Sequence, residues 1–392
     1  MTNEMRNVPE LRFPEFDGEW EEKKLGDIAD FTKGKLLGKK DLIDEGKYPC
    51  ILYGELYTKY GSIINDVVSR TNVNKDKLKK GSKNQILIPS SGETIEDIAT
   101  ASTLNTNKDV YIGGDLNILT PKEQDGKFIS LSLNGINKWN MAKLAQGKTV
   151  VHLYNNDIKT LNINLPHKMQ EQQKIGEFFS KLDRQIELEE QKLEKLEEQK
   201  KGYMQQIFSQ ELRFKDENGE KFPDWQTTTL GQLSDITTGS LDANAMVPNG
   251  KYKFFTCARE TYQIDKYAFD TEALLISGNG ANVGYIHYYK GKFNAYQRTY
   301  VLDNIQNDIN FIKYYLERYL IKRIYSEKRD GNTPYITRST LYDMSISIPL
   351  AKLEQMKISR FLTKLDNKIQ NQSDKVELLK ERKKGLLQKM FI

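Results

Sequence analysis

The sequence predicts an α+β fold: two tandem mixed α/β domains, each followed by a long helix, the two helices packing as an antiparallel coiled coil. Three observations lead there. The chain is written twice. Its front segments carry short strand-like runs. Its repeated back segments carry a heptad seam.

The duplication comes first. Ile163–Phe208 aligns with Ile346–Phe391 without a gap, at an offset of 183, and 20 of the 46 pairs are identical. Pro166 meets Pro349, Lys181-Leu182-Asp183 meets Lys364-Leu365-Asp366, and Lys200-Lys201-Gly202 meets Lys383-Lys384-Gly385. Upstream, Glu10-Leu11-Arg12-Phe13 recurs as Glu211-Leu212-Arg213-Phe214. Trp20, Leu25-Gly26, Asp30 and Gly34 recur as Trp225, Leu230-Gly231, Asp235 and Gly239 at an offset of 205, which Glu55 and Tyr57 keep with Glu260 and Tyr262. Ser91-Gly92 then pairs with Ser277-Gly278 at an offset of 186. The first copy is thus expected to be longer by roughly twenty residues, in a polar, lysine-rich stretch around Asn65–Asn84.

The front parts follow. Runs such as Gln85–Pro89, Val110–Leu119, Ala273–Ser277 and Arg298–Leu302 are β-branched or aromatic and bounded by turn formers, so they read as strands. Helices are expected at Ile136–Gln146 and Phe311–Lys328. After Pro166 and Pro349 the period changes. Ile175, Phe179, Leu182, Ile186, Leu193 and Leu196 form one seam; Ile358, Leu362, Leu365, Ile369, Val376 and Leu379 form the other. Glu189 and Lys200 interrupt the first where Gln372 and Lys383 interrupt the second, the usual device for fixing register. At 1.5 Å per residue, helices of about forty residues run roughly 55–60 Å. The expected domains are 1–166 and 211–349, with helices at 167–210 and 350–392. The repeated Glu-Leu-Arg-Phe implies that the N-terminus lies near the end of the second helix.

Composition bounds the chemistry. A net charge of +5 permits a polyanionic partner without demanding one. Cys50 and Cys257 sit in strand-like runs and read as core thiols of a reducing compartment. His152, His167 and His287 fit no zinc spacing, so no metal site is expected. With no leader-like N-terminus and no membrane-length apolar run, the chain is expected to be soluble and cytoplasmic. No P-loop is present. Asn332-Thr333-Pro334-Tyr335 lacks the first proline of the adenine-methyltransferase tetrapeptide, and Glu198-Gln199-Lys200 lies on the heptad helix without the Pro-Asp pair of a nuclease. No catalytic residue is assigned.

The front loops do carry groups suited to nucleic acid. Lys33, Lys35, Lys39 and Lys40 offer cations to phosphates. Base-contact candidates are Tyr53, Glu55, Tyr57, Lys59, Ser90 and Ser91 in the first copy. In the second they are Arg259, Tyr262, Ser277, Asn279, Asn282, Gln297 and Arg298.

Together these motifs resemble a specificity subunit of a type I restriction–modification enzyme. The features that carry the likeness are Phe222-Pro223-Asp224-Trp225 with Leu230-Gly231 and its counterpart at Phe13–Gly26, and the exits Gly147-Lys148-Thr149 and Gly331-Asn332-Thr333. The repeated helix openings add to them: Glu171-Gln172, Ile175, Phe178 and Leu182-Asp183, then Glu354-Gln355, Ile358, Phe361 and Leu365-Asp366. The resemblance implies that the front domains are target-recognition domains, each reading half of a bipartite, non-palindromic target in double-stranded DNA. It implies that the helices act as a ruler between half-sites. It implies docking of two modification (methyltransferase) subunits and of restriction subunits, on which S-adenosylmethionine, ATP and Mg2+ act, with no cofactor on this chain. Two rivals stand beside it: a self-contained DNA adenine methyltransferase, and a coiled-coil scaffold that binds protein.

Overall fold

The computed structural model describes residues 7–147, 149–327 and 333–392. Lys148, Gly331 and Asn332 of the exit motifs, Lys328 of an expected helix and the first six residues of the first expected domain lie outside them. The chain forms two compact units, Met1–Glu190 with Asp374–Ile392, and Gln191–Ser373. Each unit therefore holds part of both long helices, Met169–Phe208 and Lys352–Met390.

Among the described residues unit 1 has thirteen strands: β1 Glu21–Lys24, β2 Ala29–Lys33, β3 Tyr48–Ile51, β4 Ile63–Ile64, β5 Arg70–Thr71, β6 Lys79–Gly81, β7 Ile86–Pro89, β8 Ser91–Gly92, β9 Ser102–Leu104, β10 Val110–Ile112, β11 Leu116–Pro121, β12 Val151–His152 and β13 Asn162–Leu165. They build a five-stranded sheet ordered β2-β11-β7-β9-β4, a four-stranded sheet ordered β5-β3-β10-β6, and the pairs β1-β13 and β12-β8. The expected strand Val110–Leu119 is in fact two, β10 and β11, in different sheets, because the chain turns at Gly113-Gly114.

Among the described residues unit 2 has eight strands: β14 Trp225–Thr229, β15 Asp235–Thr238, β16 Tyr252–Phe255, β17 Tyr262–Ile264, β18 Phe269–Ser277, β19 Ile286–Ala295, β20 Thr299–Asp303 and β21 Ser345–Pro349. Its main sheet runs β15-β20-β18-β19-β16-β17, and β14 pairs with β21. The helix Ile309–Glu327 buries Phe311, Leu316, Leu320 and Ile324.

Strand register corrects the alignment of the copies. Leu119 faces Ile86 and Leu302 faces Leu274, so β7 matches β18 at an offset of 188. Pro89 and Ser90, rather than Ser91-Gly92, therefore take the places of Ser277 and Gly278. Tyr111 faces Cys50 and Asn294 faces Phe254, so β3 matches β16 at 204. Tyr48 faces Thr71 and Tyr252 faces Ile264, so β5 matches β17 at 193. Of the first copy's extra residues, eleven thus lie between β3 and β5, five between β5 and β7 within the stretch expected at Asn65–Asn84, and five more between β7 and β10. The eleven include the helical turn Glu55–Thr58 and edge strand β4. Tyr57 lies on that turn whereas Tyr262 lies on β17, so these matched letters do not mark matched positions.

The frame beneath is repeated bond for bond. Arg12 Nε and Nη2 grip Glu171 at 2.7 and 2.8 Å, and Arg213 grips Glu354 at 3.1 and 2.9 Å. The adjoining glutamines donate to the preceding prolines, Gln172 to Pro166 O at 3.1 Å and Gln355 to Pro349 O at 2.8 Å. Their Oε1 atoms accept from Asp125 N and Asp308 N, both at 3.0 Å. Asp125 and Asp308 in turn cap a helix, accepting from Phe128 N and Phe311 N at 2.9 Å each. The Glu-Gln doublet that opens each long helix is thus a clamp joining helix, strand end and domain helix. Leu11 N donates to Lys389 O at 2.8 Å, as Leu212 N does to Gln206 O at 3.0 Å, so the N-terminal segment does meet the end of the second helix.

One helix differs from expectation. Ile136–Gln146 contains only a five-residue helix, Lys138–Ala142, and the longer one is Gly126–Asn134. Phe128, Ile129, Ser130, Leu131, Ser132 and Leu133 of this helix are all buried, so it shows no one-sided stripe. It begins 183 residues before Ile309 and is the counterpart of the helix Ile309–Glu327.

Within each unit the long-helix segments run antiparallel. In unit 1, Asp183 pairs with Lys383 at 2.5 Å, Glu190 with Lys380 at 2.9 Å, and Glu189 with Lys375. In unit 2, Lys200 pairs with Asp366 at 2.6 Å, the same pair with the copies exchanged. Ile175, Phe179, Ile186, Val376 and Leu379 are buried in unit 1, and Ile358, Leu362 and Leu365 in unit 2. Leu182, Leu193, Leu196 and Ile369 are half-buried. Among the described residues no helix is long and apolar enough to cross a membrane.

Candidate nucleic-acid interface

One sheet edge collects the loops of each unit. Lys33 faces Asn117, Ile51 faces Ile112, and Pro89 faces Leu116, so β2, β3, β7 and β10 end, and β11 begins, at the same side. In unit 2, Thr238 faces Tyr300, Phe255 faces Ala295, and Ser277 faces Thr299, which is the same edge. All seventeen DNA-binding candidates lie on or beside it. Three backbone bonds repeat there. Gly34 N donates to Leu116 O at 2.8 Å, as Gly239 N does to Thr299 O at 3.2 Å. Gly113 N donates to Ile51 O at 2.9 Å, as Tyr296 N does to Phe255 O at 2.8 Å. Ser90 N donates to Asp115 O at 2.9 Å, as Gly278 N does to Arg298 O at 2.8 Å.

In unit 1, Lys33, Lys35, Lys39 and Lys40 are exposed. Lys33 Nζ stands 6.0 Å from the Tyr154 ring centre. Between Lys35 and Lys39 the chain takes left-handed turns at Leu36 and Leu37, with φ of 53° and 58°. Such backbone is costly without glycine and persists only where its surroundings hold it. The holding bonds are Lys35 N to Ile112 O at 3.0 Å and Gly114 N to Leu36 O at 2.6 Å. The lysine loop is therefore set before any ligand arrives. Lys39, Tyr53, Glu55, Tyr57, Lys59 and Asp115 share one cleft of about 520 Å³. Tyr53 and Tyr57 are half-buried, and burial raises the Tyr57 pKa above that of a free phenol.

Three candidates are buried: Glu55, Ser90 and Ser277. Glu55 is 5% exposed, and its carboxylate accepts from Leu52 N at 2.8 Å, Lys59 Nζ at 2.7 Å and the Ser69 hydroxyl. It braces the loop and aims Lys59, rather than meeting a base. Ser277 is fully buried where β18 meets β20, so it too is structural. Ser90 is buried beside Asp115, while Ser91 is half-buried.

In unit 2, Arg259, Gln297 and Arg298 are exposed, and Tyr262, Asn279 and Asn282 half-buried. The Arg259 guanidinium stands 5.5 Å from the centre of the Tyr285 ring. Asn282 Nδ2 donates to Cys257 O at 3.1 Å, tying two loops together. His287 Nε2 lies 3.0 Å from Ala258 O, a group that can only accept, so the ring holds its loop by donation; burial lowers the His287 pKa. Gln297 Nε2 leans on Asp242 at 3.4 Å. The Arg298 guanidinium makes no hydrogen bond or ion pair with the described residues. The segment after the tetrapeptide Asn332-Thr333-Pro334-Tyr335, which was not among the DNA-binding candidates, also reaches this edge: Ile336 N donates to Gly278 O at 2.8 Å, beside Tyr335, which is 57% exposed. Leu153 N to Ser90 O at 3.1 Å is its equivalent, and the repeated exit motifs were the signal for it. Among the described residues no cluster of His, Cys, Asp and Glu has the makings of a metal site.

The sequence matches the family described as the type I restriction modification DNA specificity domain twice, over residues 17–198 and 223–381. The chain belongs to this family. A type I specificity protein is a DNA sequence-recognition subunit, not an enzyme by itself. The EcoDI specificity subunit of Escherichia coli is 42% identical over 154 residues, 39% of this chain and 34% of that protein. The match thus spans about a third of that relative. A putative type I specificity subunit of Mycoplasma genitalium is 23% identical over 95% of this chain and 94% of its own length. The crystal structure of a type I S subunit from M. genitalium shares the fold, with a TM-score of 0.70 and 19% identity over 98% of this chain and 99% of that one.

Proposed function

We propose that this specificity subunit reads a split, non-palindromic double-stranded DNA target, one half-site per unit, and positions modification and restriction subunits of a type I complex on it. What supports this most is one observation: the same sheet edge, held by the same backbone bonds, carries two different sets of loops. A repeated frame with unlike loops suits two unlike half-sites. The target-recognition segments are 1–166 and 211–349, and the helices 167–210 and 350–392 set the gap between half-sites. Two modification subunits dock on the duplicated frame, S-adenosylmethionine, ATP and Mg2+ act on the partners, and the complex works in the cytoplasm. Mapping methylated adenines in a genome that carries the assembled system tests the core of this reading. Two different half-sites separated by a fixed gap are expected; one continuous palindrome would sink it.

The exposed lysines and Arg298 take different roles. Neutralising two of Lys33, Lys35, Lys39 and Lys40 is expected to weaken binding to every sequence and to flatten the salt dependence by about two units. Arg298→Ala is expected to cost about 1–3 kcal/mol on the cognate half-site only. Salt titrations of duplex binding separate the two, and a lysine variant with altered sequence preference at unchanged salt slope contradicts the assignment.

The helices are tested by length. Four residues inserted after Leu196 add about 6 Å and about 40° of rotation. At about 3.4 Å per base pair, the gap in the methylated target is expected to grow by one or two base pairs, with both half-sites unchanged. An active variant with the old gap shows that the helices do not set it.

A further inference from the structure

We propose that Asp115 is a specificity-determining residue for the half-site read by unit 1, accepting a hydrogen bond from the amino group of a cytosine in the major groove. The inference rests on the split-recognition reading above and goes beyond it in naming the residue and the base chemistry.

The argument starts from position. Asp115 and Arg298 are the same site of the repeat, because three repeated backbone bonds at the sheet edge hold both turns at equivalent positions. Gly113-Gly114-Asp115 and Tyr296-Gln297-Arg298 each lead into the second strand of the sheet, β11 or β20, which is paired on both sides. Both side chains are exposed, and both charged ends lack hydrogen-bond or ion-pair partners among the described residues. Asp115 also lines the cleft that holds Tyr53, Tyr57 and Lys59.

Chemistry then sets the partner. A guanidinium is all donor, and its best partner on a base edge is the O6/N7 acceptor pair of guanine. A carboxylate is all acceptor and needs an exposed amino group. The major groove offers cytosine N4 and adenine N6. Adenine sets the acceptor N7 beside its amino group, which repels a carboxylate; cytosine sets only a C–H there. Cytosine is therefore the base that suits Asp115. An unpaired carboxylate in a DNA-facing cleft would otherwise only repel phosphate, so its lysine neighbours give affinity while Asp115 discriminates. One backbone position thus carries opposite polarity in the two units.

The test uses the complex assembled with its modification subunits. The wild-type target is mapped by methylation. Duplexes carrying that target with each base pair changed in turn are then titrated against the wild type, Asp115→Asn and Arg298→Gln. Asp115→Asn is expected to lose roughly tenfold to a hundredfold on the cognate duplex and to flatten the preference at one C·G pair of one half-site. Arg298→Gln is expected to flatten one position of the other half-site, which serves as the internal control for folding. Unchanged penalties throughout overturn the proposal. A uniform loss at both half-sites overturns it too, by marking a structural role, and so does flattening at a position that is not C·G. A wild-type complex that methylates no split target instead overturns the split-recognition reading itself.

Discussion

Replacing Arg213 with alanine is expected to destabilise unit 2 by about 3–5 kcal/mol, because it strands a buried carboxylate. Glu354 is fully buried and its two oxygens take the Arg213 guanidinium at 3.1 and 2.9 Å. Arg213 also donates to Pro223 O at 2.7 Å, so its loss frees the chain that leads into β14. A surface pair contributes at most about 1 kcal/mol, and a loss of that size would show that the pair is solvated. Replacing both partners, Arg213→Met with Glu354→Leu, is expected to recover most of the stability, since no charge is then left unpaired. Hydrogen exchange read by mass spectrometry is the suitable probe, because it reports the two units separately. Protection is expected to fall in the peptides of unit 2 and to stay in those of unit 1. Arg12→Ala reverses the pattern, as Glu171 is 1% exposed and held in the same way.

The second large effect belongs to the repeated glycine after β2 and β15. A Cβ at Gly34 would stand 1.8 Å from Gly113 O, and one at Gly239 would stand 1.9 Å from Ala295 O. Both obstacles are backbone of the neighbouring strand end, which cannot swing aside. Gly34→Ala is expected to cost about 3 kcal/mol, the upper end of overpacking, and to push the lysine loop off the sheet edge. Duplex affinity is expected to fall for all sequences, since the loop carries the lysines proposed to contact phosphate. Gly231 gives the contrast. There a Cβ meets the Tyr342 ring at 2.4 Å, but Tyr342 is 45% exposed and its ring can move. Gly231→Ala is expected to stay within about 1 kcal/mol. Thermal unfolding of the two variants decides the matter: equal losses would show that crowding by backbone and by a mobile ring cost the same here.

The long helices and the duplication were legible because both are written in spacing, a heptad seam and a constant offset of 183. The helix Gly126–Asn134 was not, since burial all round leaves no periodic stripe, although projecting Ile309 back by the same offset marks its start. The front alignment slipped at Ser91-Gly92 because a matched dipeptide carries less information than the sheet register that places Pro89 and Ser90 there. Loop candidates could be named by residue type, yet their gathering on one edge depends on strand order, which spacing does not encode. Glu55 and Ser277 show the limit of residue type, as both polar side chains face inward. Asp115 shows the converse: an aspartate after two glycines has the composition of a turn, and only the repeated backbone bonds show that it takes the place Arg298 holds in the other copy.

The closing of unit 1 by the far end of the chain also sets an order of assembly during synthesis. Phe391 fills the core of unit 1, with ring centres 4.9 Å from Phe128 and 6.2 Å from both Trp20 and Phe179. Its counterpart Phe208 fills unit 2, 5.6 Å from Phe311. Unit 2 is one continuous stretch, Gln191–Ser373, so every residue of its core is synthesised before the last turns of the second helix. Unit 1, although begun first, lacks Phe391 against Trp20 and Phe128 until the end of that helix has been made. The half translated first is therefore the half completed last, and the nascent chain is most exposed to chaperones and proteases through its N-terminal unit.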